Sequence, residues 1–84
     1  MISPILNNNG TSADDLIAPR REAMDHLADA IEALTQVTPN GRDYPGDSER
    51  CVADRNIHYA RIQALREMWH ELVEEALAIK GQAA

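Results

Sequence analysis

At 84 residues and 9.3 kDa, with 44% apolar and 26% charged residues, the chain has room for one small domain whose core is too limited for high stability alone. A net charge of −6 argues against binding duplex DNA or an anionic membrane by neutralising phosphates. The single cysteine, Cys51, excludes an internal disulfide and a Cys-rich zinc site and suits a reducing compartment, and no apolar run approaches the ~18 residues of a membrane span, so a cytoplasmic location is expected.

Residues 1–11 hold Pro4 and the run Asn7-Asn8-Asn9-Gly10, a turn-forming composition without periodicity, and are expected to form an arm whose Ile2, Ile5 and Leu6 can dock on an apolar surface. Ser12 followed by Asp15 resembles a capping box with Asp in place of Glu. Pro19 leaves two possibilities for the first helix. Either a short turn ends near Ala18 and the main helix starts with Pro19 at its first position, or one helix runs through with a kink.

Met24, Leu27, Ile31 and Leu34 recur at spacings of three and four, which predicts an amphipathic helix over about 19–37. Thr38-Pro39-Asn40-Gly41 ends it, because Pro39 biases Thr38 away from helical backbone and Asn-Gly favours a turn. The connection spans about 38–48. Ser48 is the expected N-cap of a second helix over about 49–80, with Glu49 at its positive end and Lys80-Gly81 as its stop. At 1.5 Å per residue the second helix is about 48 Å long against roughly 28 Å for the first, so it is expected to overhang.

The second helix carries His58, Ile62, Leu65, Trp69, Leu72, Ala76 and Ile79 in a heptad-like seam that Val52, Tyr59, Met68 and Val73 widen. Two such helices joined by a short connection predict an all-α antiparallel hairpin over 12–81. Its broad apolar stripes are a poor surface for a soluble monomer, so dimerisation into a four-helix bundle is expected.

Chemistry-bearing patterns are sparse. Glu67 and His70 have the E-x-x-H spacing of di-iron helices, but both fall away from the core face, and a solvated surface is the expected setting. His26 lies one turn from Glu22 as a surface pair, while His58 occupies a seam position and is expected to be a partly buried, hydrogen-bonded imidazole. Cys51 stands in the first turn of the second helix without a His or Asn placed to make it a nucleophile. No phosphate loop or catalytic triad is present, so no enzyme activity, cofactor or bound metal is expected.

Glu22, Asp25, Asp29 and Glu32 line one stripe of the first helix, opposite Leu27. Such a stripe is either a solvated face or a docking face for a basic partner, including a protein site that normally holds nucleic acid. Along the second helix, Arg50, Arg55, Arg61 and Arg66 come first and Glu67, Glu71, Glu74 and Glu75 come last.

The connection reads Pro39-Asn40-Gly41-Arg42-Asp43-Tyr44. This P-x-G-R-D-Y segment between two amphipathic helices resembles short helical-hairpin proteins of phages and prophages, with Pro45-Gly46 standing where a second aromatic often follows the tyrosine. The resemblance implies an accessory protein of a mobile element and no particular activity. From the residues themselves, Arg42 and Asp43 can cap helix ends or pair, Tyr44 can fold over the end of the bundle, and an exposed Arg and Tyr also have the composition of an interface anchor. The expected function is a small protein-binding or assembly module. An acidic inhibitor is the alternative and a metal-binding bundle the second alternative, with the chain itself and a basic protein as partners and no direct nucleic-acid or membrane binding.

Overall fold

The computed structural model describes residues 12–83, and the expected arm, residues 1–11, lies outside them. Ser12 opens the first helix, α1 (Ala13–Thr35), as an extended N-cap whose hydroxyl accepts the backbone N–H of Asp15 at 3.2 Å. The helix then runs through Pro19. The proline ring cannot supply an N–H to the preceding turn, and the neighbouring Leu16 carbonyl accepts the guanidinium of Arg20 at 2.7 Å. Of the two possibilities at Pro19, the continuous helix is the one observed.

α1 ends at Thr35, two residues before the expected Val37. Its last turn tightens, with Gln36 and Val37 donating to Ala33 and Leu34 three residues back. Pro39 has no N–H to offer the Thr35 carbonyl, and the Thr38 hydroxyl donates there instead at 2.9 Å. The Thr35 hydroxyl likewise donates to the Glu32 carbonyl at 2.6 Å. Side chains thus complete the carbonyl end of the helix.

A one-turn 3-10 helix, Gly41–Asp43, comes next, capped by the Asn40 side chain, which accepts from the Arg42 N–H at 3.0 Å. Tyr44-Pro45-Gly46-Asp47 then closes a turn through the Asp47 N–H to the Tyr44 carbonyl at 3.1 Å. Pro45 supplies the fixed φ of the second position, and Gly46, at φ 75°, the left-handed third position that a type II turn requires.

The second helix, α2, covers Ser48–Ala83. Its N-terminal cap is Asp47, whose carboxylate accepts the Arg50 N–H at 3.1 Å, so the expected capping role of Ser48 falls one residue earlier. The expected stop at Gly81 is also absent. Gly81 does not take the positive φ of a helix-ending glycine, and the helix continues to Ala83.

α1 and α2 pack as a two-helix hairpin, with no strand among the described residues. Ile62 and Ile79 are buried on α2, with Ile79 fully covered, and Cys51 is buried at its start. Met24, Leu27, Ile31 and Leu34 of α1 and Leu65, Trp69 and Leu72 of α2 form the rest of the seam and are half-buried. α2 has 36 residues against 23 for α1, so it is longer by about 20 Å, the difference expected, and the connection folds along its first turns. Arg55 donates to the Pro39 carbonyl through Nε and Nη2, at 3.2 and 3.0 Å, while Tyr44 reaches Asp54.

Candidate interaction surface

The acidic stripe stands on α1 where the spacing places it, and Glu22, Asp25, Asp29 and Glu32 are all exposed. Glu22 pairs with His26 at 3.6 Å, both in solvent. Asp25, Asp29 and Glu32 have no ion pair among the described residues. Four carboxylates one turn apart repel weakly in water, and a cationic partner would relieve that repulsion.

Arg42 and Tyr44 do not act alike. Arg42 is exposed on the 3-10 turn and forms no ion pair with Asp43. Tyr44 is half-buried, and its hydroxyl donates to the Asp54 carboxylate at 2.7 Å, which ties the connection to α2. That hydrogen bond, followed by burial and the negative charge of Asp54, raises the phenol above its ordinary pKa of 10.0, because a phenolate would face a carboxylate.

His58 is buried at 5% exposure, and its Nε2 lies 3.3 Å from the Thr38 hydroxyl oxygen. The one hydroxyl proton of Thr38 already goes to the Thr35 carbonyl, so the imidazole Nε2 must carry the proton it shares with Thr38. This histidine joins the end of α1 to α2. Cys51 is buried, with Arg55 Nη2 3.8 Å from its sulfur. Glu67 and His70 are exposed, and Gln63 donates to Glu67 at 3.5 Å. Among the described residues, no group of three or more His, Cys, Asp or Glu side chains is arranged to hold a metal ion.

Two features escape a reading of the sequence. Arg20 and Glu75 form an ion pair at 3.2 Å in which Glu75 is only 4% exposed, and its second oxygen has no partner among the described residues. Glu75 stands three residues after Leu72 and four before Ile79, a seam spacing that turns it inward, but no local pattern names Arg20 as its partner. Ile57, about half exposed, stands outside the seam at the edge of a depression that Leu34, Val37 and Tyr44 also line. Its three-and-four spacing with alanines was there to be found.

Val52, Tyr59 and Met68, expected to widen the seam, are each at least half exposed. One neighbouring helix covers only part of a helix's circumference, so apolar positions flanking the seam stay in water. A shallow depression of about 180 Å³ between Ala28 and Ile31 of α1 and Arg66, Trp69 and His70 of α2 marks where Trp69 is incompletely covered. The Trp69 and His70 rings meet edge to face there, with centroids 5.2 Å apart.

The protein is thus an all-α helical hairpin with an acidic face and an incompletely covered apolar surface, and no described helix is long and apolar enough to cross a membrane. No family model, curated protein or solved structure matches the chain.

Proposed function

We propose that the protein is a small binding and assembly module, without catalytic chemistry of its own, that associates with a second copy to bring four helices together. The observation that carries this reading is the imbalance between buried and exposed apolar side chains. Only Cys51, Ile62 and Ile79 are buried among the apolar residues described, whereas Val37, Val52, Ile57, Tyr59, Met68 and Leu77 are each at least half exposed. The accessible surface, 6325 Å², compares with about 5000 Å² for a compact monomer of this mass. A rod of 64 × 19 × 16 Å leaves that surface to a partner.

Light scattering over a concentration series tests it: a mass above 9.3 kDa that grows with concentration is expected, and a monomer throughout would refute self-association.

The unpaired carboxylates of Asp25, Asp29 and Glu32 support a second role in the same module, docking a basic protein surface. Capture of partners from host extract would identify the protein, and Asp25→Lys with Asp29→Lys should slow its association, most at low salt, without altering the fold. An unchanged association rate would leave the stripe as a solvated face. The resemblance of the connecting segment to phage hairpins favours an accessory protein of a mobile element acting in the cytoplasm.

A further inference from the structure

On the face of α2 opposite Ile62, the exposed side chains of Ala53, Ile57, Ala60, Ala64 and Met68 form a largely apolar stripe, with the exposed Asn56 and Glu67 along one side of it. At 100° per residue all five lie within about 60° of the direction pointing away from Ile62. Arg50 stands at one end of the stripe and Glu71 at the other, both exposed.

Resting on the self-association proposed above, we infer that this outer stripe of α2 is the interface, and that it takes a second copy of α2 in antiparallel register about a two-fold axis passing between Ala60 and Arg61. The stripe is complementary to its own reversal. With the axis there, Ile57 faces Ala64 of the second copy and Met68 faces Ala53, so each bulky side chain meets a small one and the helices can approach closely.

The ends match in charge as well. Arg50 faces Glu71 of the second copy, and the two-fold repeats the pair at the other end. More broadly, the basic leading half of α2 lies along the acidic trailing half of its partner, where a parallel arrangement would set like against like. Arg61, on the rim beside the axis, approaches its own copy and is the like-charge contact of this register. The remaining large exposed apolar side chains of α2, Val52, Tyr59 and Leu77, share a different face that Arg66 and His70 interrupt, and their ends carry no such complementary pair.

The test is charge exchange followed by sedimentation. Arg50→Glu alone and Glu71→Arg alone should each weaken the dimer about tenfold at low salt, since each creates two like-charge contacts. The double exchange should restore wild-type affinity, Arg61→Gln should tighten the dimer, and Ile57→Asp should abolish it with helicity retained, because Ile57 is exposed in the hairpin. In a Cys51→Ala background, Ala60→Cys should cross-link between copies under oxidation, whereas Glu32→Cys on α1 should not. A dimer that forms but is indifferent to Arg50→Glu and Ile57→Asp would overturn this interface and leave self-association standing. A wild-type protein that stays monomeric would overturn both.

Discussion

Arg20 and Glu75, 55 positions apart in the chain, meet at 3.2 Å between α1 and α2, with the carboxylate almost wholly buried. The same guanidinium also donates to the Leu16 carbonyl beside Pro19, so one side chain serves both the irregular turn of α1 and the pairing of the helices. It brings a charge to a seam in which only Ile62 and Ile79 are buried and the other apolar groups are half-buried, and it favours one alignment of the two helices over a slide along the rod.

Removing the cation should be more harmful than removing the pair. Arg20→Met strands a buried carboxylate and should cost about 2–4 kcal/mol, whereas Arg20→Met with Glu75→Leu should recover most of the loss. Urea unfolding of the single and double variants measures this. Equal stability of Arg20→Met and wild type would show that Glu75 is satisfied without its partner.

Trp69→Ala should destabilise the hairpin by about 2 kcal/mol, below the value for a fully enclosed tryptophan, since the ring is half-buried above the depression at Ala28 and Ile31. Chemical denaturation followed by circular dichroism reads it, and a loss near zero would remove Trp69 from the seam.

Tyr44 should make stability depend on alkaline pH. Its folded pKa is raised, so the protonated phenol is the form the fold favours; that contribution is complete below the unfolded value of about 10 and is lost as pH rises through the higher folded value. Above pH 10 the melting temperature of the wild type should therefore fall more steeply than that of Tyr44→Phe. Parallel curves would show that the bond to Asp54 does not persist in solution.

His58 should exist as the tautomer protonated at Nε2 when neutral, because the Thr38 proton is committed to the Thr35 carbonyl. Nitrogen chemical shifts in NMR distinguish the two tautomers directly. Thr38→Val removes the acceptor and should cost about 1–3 kcal/mol by leaving a buried N–H unpaired. The Nδ1-protonated form would reverse the assigned bond.

The two helices, their antiparallel pairing and the position of the connection could all be read from local pattern. Spacings of three and four along Met24 to Leu34 and along Ile62 to Ile79 are properties of a helix face, and Pro39 with Asn40-Gly41 interrupts a helix wherever it occurs. The acidic stripe was visible for the same reason, as was a role for His58 at the seam.

Tertiary structure alone settled what depends on a neighbour. The helix caps are local by contrast: Thr38 reaches back three residues to the Thr35 carbonyl, and Asp47 rather than Ser48 receives the first N–H of α2 because the type II turn presents it there. Arg20 and Glu75 can find each other only after the helices align, since no local spacing links residues in different helices. Cys51 is buried beside a depression that Gly41 and Tyr44 of the connection line, and a single packed neighbour leaves Val52, Ile57, Tyr59 and Met68 at least half exposed. Periodicity names the residues of a face, but how much of that face is covered depends on the girth and placement of the helix packed against it.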